Sequence, residues 1–95
     1  MTFDNNLFAA LVHTEKGTTC SDRRCQDLST DEGCSDAVNY AKSINGNAQY
    51  RYSGSWPWTH KGCVIFDSSG NMFFNKHSSG INNAATRSIC HKGNY

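Results

Sequence analysis

Five cysteines in 95 residues are the feature that most constrains how this chain can fold. A chain of this length forms one domain, and it buries only about 60–65% of the surface that its unfolded form exposes. Only 37% of its residues are hydrophobic, so its core is thin. Small domains of this kind are commonly held by disulfides, which persist outside the cell or in an oxidising lumen and are rare in cytosol. The cysteines therefore predict a disulfide-stabilised domain of an oxidising compartment.

Hydrophobic periodicity predicts one main helix and one β-hairpin. Residues 29–42 form the helix: Ser29 or Thr30 can cap it, and one stripe at three- and four-residue spacing contains Cys34, Ala37, Val38 and Ala41. The apolar runs 63–66 and 72–74 flank a polar, glycine-containing segment, which is typical of a hairpin. We therefore expect a small α+β domain over residues 20–95, with one main helix packed on a short antiparallel sheet that has a central β-hairpin.

The first 19 residues are predicted to be a separate N-terminal apolar segment. Residues 3–13 can form a short helix with Asp4 as its N-cap. Such a helix could pack on the core of its own domain, dock onto a partner, or remain a disordered tail. If it docks, the side chains that would contact the partner are Phe3, Leu7, Phe8 and Leu11.

The positions of the cysteines favour one pairing among many. Cys34 lies on the predicted buried face of the helix and Cys63 opens the hairpin, so a bond between them would join helix to sheet. Cys20 and Cys90 would then join the start of the domain to its end. Cys25 is left as a free thiol or as a bond to another chain, and an exchange between Cys20 and Cys25 is the rival pairing.

Two groups of residues are candidates for binding. Tyr50, Tyr52, Trp56 and Trp58 form an aromatic segment, and such side chains anchor protein interfaces or stack on sugars when exposed. The alternative is that the two tryptophans fill the core. Asn75 and His77 follow the hairpin, where they could bind a ligand or satisfy the backbone of the next loop.

Several classes of chemistry are not indicated by the sequence. The formal net charge of +1 gives no footprint for nucleic acid, and no apolar run is long enough to span a membrane. Cys20 to Cys25 and His60 to Cys63 lack the usual spacing of zinc ligands. The acidic residues fall mostly at helix starts and turns. We expect no metal, no cofactor and no enzymatic activity.

The order of motifs resembles a small four-cysteine module of exported proteins of algae and other marine protists. The matching elements are Cys20, Cys34 through Ala37, Gly62-Cys63, the segment Phe73 to Gly80, and Ile89-Cys90. The resemblance covers residues 20–90, and Cys25 and the apolar N-terminal segment depart from it. It implies a disulfide-bonded, exported domain but no particular activity.

These observations lead us to expect a non-catalytic structural or interaction module. It would be an accessory subunit of a larger assembly, bound to other protein chains, in the extracellular space or an oxidising lumen. In an alga, one such place is the lumenal side of a photosynthetic complex in the thylakoid. The alternative is a carbohydrate-binding module that uses the loop with Trp56 and Trp58.

Overall fold

The computed structural model describes residues 10–92, in which six strands form one sheet and two short helices pack against it. The strands are β1 (Leu11–His13), β2 (Gln26–Asp27), β3 (Gln49–Gly54), β4 (Gly62–Phe66), β5 (Asn71–Asn75) and β6 (Thr86–His91). The helices are α1 (Asp31–Asp36) and α2 (Val38–Ala41), and a 3₁₀ turn (Ser21–Arg23) precedes β2.

The sheet is mixed, and its strand order is β1-β6-β4-β5-β3 with β2 also paired to β6. β3 runs parallel to β5, and the other pairs are antiparallel. The prediction of an antiparallel sheet is therefore wrong at β3. The physical reason is the connection after β3: residues 55–61 carry the chain across β5 to β4, so β3 lies at an edge beside a strand that is not its sequence neighbour.

The single helix predicted over residues 29–42 is divided into α1 and α2. Ala37 separates them with φ −78° and ψ 0°, outside regular helical geometry. Thr30 is the N-cap, and its side chain accepts a hydrogen bond from the Gly33 amide at 2.9 Å. The predicted stripe still faces the sheet, because Cys34, Ala37 and Ala41 are all fully buried.

One face of the sheet, the helix face, carries the hydrophobic core. The pairing register places on this face, under the helices, Cys63, Ile65, Met72, Phe74 and Ile89. Leu11 also belongs to this core and is only 3% exposed, so it is not available for docking to a partner. Residues 11–13 form strand β1 and not the end of the helix expected over 3–13. Phe3, Leu7 and Phe8 lie outside the described residues.

The opposite face, the loop face, is covered by irregular chain and buries polar side chains. Thr59 and His60, from the loop that crosses β5, meet Thr86 and Ser88 of β6 through hydrogen bonds of 3.3 and 2.8 Å. The Ser88 amide donates to the Thr14 hydroxyl at 2.9 Å. Buried polar groups need such partners, so this layer is held by specific hydrogen bonds rather than by apolar packing alone.

Each disulfide fastens one of these two layers to the sheet. Cys34–Cys63 joins α1 to β4 on the helix face, and Cys20–Cys90 joins the segment after β1 to β6 on the loop face. These are the two pairs that the sequence layout favours. They close loops with sequence separations of 29 and 70, which corresponds to about 3.6 and 4.4 kcal/mol of lost unfolded-state entropy. Cys25 is a free thiol.

Candidate aromatic binding site

Five aromatic side chains gather on the loop face near the β3 edge, and we call this cluster the aromatic pocket. It consists of Tyr52 from β3, Trp56 and Trp58 from the crossing loop, Phe66 from β4 and Phe73 from β5. Together with Thr59 and Val64, these rings line a cavity of about 120 Å³. None of the seven lining residues is Asp, Glu, Lys, Arg or His.

A β-bulge brings Tyr52 to this cluster and separates it from Tyr50. The register of β3 against β5 shifts between these two tyrosines, so Tyr52 pairs with Phe73 on the loop face while Tyr50 pairs with Met72 on the helix face. Tyr50 packs against the core, and its hydroxyl donates a hydrogen bond to Asp31. The tyrosines that the sequence groups together therefore have different surroundings, and only Tyr52 lies at the pocket.

The rings are in contact with one another around a closed circuit. Trp56, Trp58, Phe66 and Phe73 follow each other with centroid distances of 6.2, 6.4 and 5.7 Å, and Phe73 returns to Trp56 at 5.7 Å. Tyr52 flanks this circuit, 5.1 Å from Phe73 and 6.2 Å from Trp56. The two tryptophan rings are inclined by 48°, so they do not form a flat stacking platform.

The pocket is open to solvent along one side. Tyr52 is 57% exposed and Trp58 is 50% exposed, whereas Trp56, Phe66 and Phe73 are half-buried. Among the large hydrophobic side chains of residues 10–92, Ile81 is the other strongly exposed one, and it does not line the pocket. Exposed tryptophan and tyrosine at the rim of a cavity are typical of an interaction site.

Asn75 holds the crossing loop in place and is not free to bind a ligand. It is 2% exposed, and its side-chain oxygen accepts from the Trp56 amide at 2.8 Å and from the His77 amide at 3.1 Å. Its side-chain nitrogen donates to the carbonyls of Trp56 and His60, both at 2.8 Å. Asn75 therefore positions the tryptophan loop, which is the backbone role that the sequence left open as its alternative.

Gly54 allows Trp56 to pack directly on the end of β3. A Cβ atom at position 54 would lie 2.3 Å from the indole ring, a distance that real Cβ atoms do not show. The glycine two residues before Trp56 was therefore a signal for close packing of that ring. Phe66 and Phe73 were also missed as pocket walls, because the sequence places them in the apolar runs of the predicted hairpin.

His77 lies apart from the aromatic pocket. Its Nδ1 accepts from the Ser79 amide at 3.1 Å, and the residue lines a separate cleft with Lys61 and Asp27. Those two side chains form an ion pair at 3.6 Å. Asn75 lines the same cleft and its side-chain oxygen accepts from the His77 amide, so the two residues predicted as a pair do lie together.

His60 is a buried titratable group beneath the crossing loop. Its Nδ1 bonds to the Ser88 hydroxyl at 2.8 Å, and its Nε2 makes no hydrogen bond of normal geometry. Burial lowers the pKa of His60, and the Asp22 carboxylate and the nearby Asn83 backbone oppose this shift. The ring is fully inaccessible to solvent, so it acts on stability and not on a ligand.

Residues 10–92 contain no group of three or more His, Cys, Asp or Glu side chains that could hold a metal ion. Within the same residues, no helix has the length and apolar character needed to cross a bilayer. The free thiol of Cys25 is half-buried and points to the Arg23 carbonyl, 3.5 Å away.

Comparison with protein-family models, with curated proteins and with solved structures finds no match for this chain.

Proposed function

We propose that this chain is a non-catalytic interaction module of an oxidising compartment, and that it binds a partner protein through the aromatic pocket. The observation that carries the proposal is the open cavity of about 120 Å³ whose rim is formed by the exposed rings of Tyr52 and Trp58. Tryptophan and tyrosine are the residues that most often dominate the binding energy of protein interfaces.

The size of the cavity favours one projecting group over a whole small molecule. Pockets for drug-sized ligands are typically about 300–1,000 Å³, whereas an apolar cavity of roughly 150 Å³ accommodates a single benzene ring. The aromatic pocket can therefore hold one side chain or headgroup, and the remaining contacts with the partner would come from the surface around it.

The compartment and the assembly role are part of the same proposal. Two disulfides suit a domain that works outside the cell or in an oxidising lumen. The resemblance of residues 20–90 to a module of exported algal proteins supports the same location. An accessory subunit of a larger assembly is the role that we propose for a domain whose most distinctive surface is a binding pocket.

Carbohydrate binding is less well supported by this geometry. A sugar needs a flat ring to stack on together with donors and acceptors for its hydroxyl groups. Trp56 and Trp58 are inclined by 48°, and no carboxylate or amide side chain lines the cavity. We therefore place a protein partner first and use glycan binding as a competing outcome of the test.

Selection of a random-peptide display library on the oxidised domain tests the proposal. We expect selected peptides to bind the wild type and Ile81→Ala alike, and to lose roughly tenfold or more in affinity for Trp58→Ala. Ile81 is the matched control because its side chain is as exposed as Tyr52 but lies outside the pocket.

The same three proteins are then applied to a glycan array. Peptides that bind Trp58→Ala as tightly as the wild type would show that the site is misplaced. Binding to glycans alone would replace the protein partner by a carbohydrate.

A further inference from the structure

We infer that the group bound in the aromatic pocket is a trimethylammonium group. The inference rests on the proposed function for the location of the site, and it adds the chemistry of what enters it. Its basis is the closed circuit of Trp56, Trp58, Phe66 and Phe73, four rings in mutual contact that all line the cavity.

The spacing of the four rings suits a cation at their centre. The four centroid distances of 5.7 to 6.4 Å make sides of about 6 Å. The centre of a square with that side is about 4.2 Å from each centroid, which is inside the roughly 6 Å range of cation–π attraction. Phe73 meets Trp56 and Phe66 at 81° and 87°, as adjacent walls of a box do, whereas Trp58 is tilted by 48° and 55° against its two neighbours.

The lining chemistry selects a cation that needs no hydrogen-bond acceptor. Aromatic faces attract positive charge through their quadrupole, and tryptophan, present twice here, does so most strongly. A lysine ammonium or an arginine guanidinium brings N–H donors that lose their water partners in a pocket without carboxylate or amide side chains. A trimethylammonium group has no N–H, so it enters such a pocket without leaving donors unpaired.

The rest of the cavity is compatible with the methyl groups. Val64 is fully buried, also lines the cavity and adds no polar group to it. Thr59, the other non-aromatic lining residue, has its hydroxyl 3.3 Å from that of Thr86, so this polar group already has a partner. A volume of about 120 Å³ is comparable to the roughly 150 Å³ that holds benzene, so the cavity can take one group of about that size.

Titration of the oxidised domain with choline and with 3,3-dimethylbutan-1-ol tests the inference. The alcohol has the shape of choline without its charge, and binding is followed by tryptophan fluorescence and by NMR of the indole N–H groups. We expect choline to bind the wild type and Ile81→Ala at least about tenfold more tightly than the alcohol does. In Trp58→Leu, which keeps an apolar wall but removes the ring, we expect this preference to disappear.

The source of the group is tested with N-acetyl-trimethyllysine amide against N-acetyl-lysine amide. Tight binding of the methylated compound alone indicates a modified lysine of a partner protein, and binding of choline alone indicates a choline-bearing molecule. Equal binding of choline and its uncharged analogue, or binding of neither, overturns the inference. The proposed function fails separately, if the peptides selected on the domain are insensitive to loss of Trp58.

Discussion

A methyl group at position 54 would collide with the indole ring of Trp56. In Gly54→Ala the new Cβ would lie 2.3 and 2.6 Å from two atoms of that ring. Carbon atoms in contact are about 3.5 Å apart or more, so the ring must move by at least about 1 Å. The strand end is tied by the bond from the Lys76 amide to the Gly54 carbonyl at 2.7 Å, so we expect the ring to move and not the backbone.

The displacement should cost more in binding than in stability. Trp56 meets Phe73 edge to face at 5.7 Å, and a contact of this kind is worth about 0.5–1.5 kcal/mol. We expect the free energy of unfolding to fall by about that amount in urea denaturation. The pocket loses one of its walls, so we expect choline or the selected peptides to bind roughly tenfold or more weakly.

Near-ultraviolet circular dichroism and the binding titration check this expectation. The near-ultraviolet spectrum reports the asymmetric packing of the tryptophans and should change in Gly54→Ala. Gly46→Ala is the control, because a Cβ there meets nothing within 4 Å. If Gly54→Ala keeps both the wild-type spectrum and the wild-type affinity, Trp56 is not a wall of the binding site.

Three further predictions concern the stability of the domain. Gly70→Ala should lower the free energy of unfolding in urea by more than about 1–2 kcal/mol, because φ at this position is +80° and the new Cβ would lie 2.6 Å from backbone atoms before β3. Gly46→Ala, the control, should have little effect. Joint replacement of Cys34 and Cys63 by alanine should lower the free energy of unfolding by about 2–5 kcal/mol, measured as a lower Tm in calorimetry. An unchanged Tm would show that this disulfide contributes little to stability. Burial lowers the pKa of His60 in the folded state from 6.5, so the unfolded chain binds the proton more readily. The free energy of unfolding should therefore fall as the pH drops below about 6.5. Urea titrations at several pH values should show a weaker pH dependence for His60→Gln.

Much of the local structure follows from sequence pattern, and the cysteine layout is the clearest case. Cys34 falls on a stripe of small residues and Cys63 opens an apolar strand, so helix and sheet must meet near both. The division of the helix at Ala37 has no such signal, since alanine is a good helix former. The parallel position of β3 depends on where the chain crosses β5, which is a tertiary property.

The aromatic pocket was only partly visible in the sequence for a related reason. Trp58 and Tyr52 stand out in the sequence because they belong to a dense group of aromatic residues, and the structure shows that both are exposed. The bulge that separates Tyr52 from Tyr50 has no strong local signature, so a regular alternation places both on one face. Phe73 alternates with the core residues of β5, and its role depends on the loop that covers it.

The two disulfides lie outside the lining of the aromatic pocket. One bond fixes the helices to one side of the sheet, the other fixes the segment after β1 to the other side, and no cysteine lines the pocket. The tryptophan loop is held instead by five hydrogen bonds between the Asn75 side chain and neighbouring backbone groups. Reduction of the disulfides would therefore lower the stability of the whole domain, whereas loss of the Asn75 amide would act on the position of the tryptophan loop.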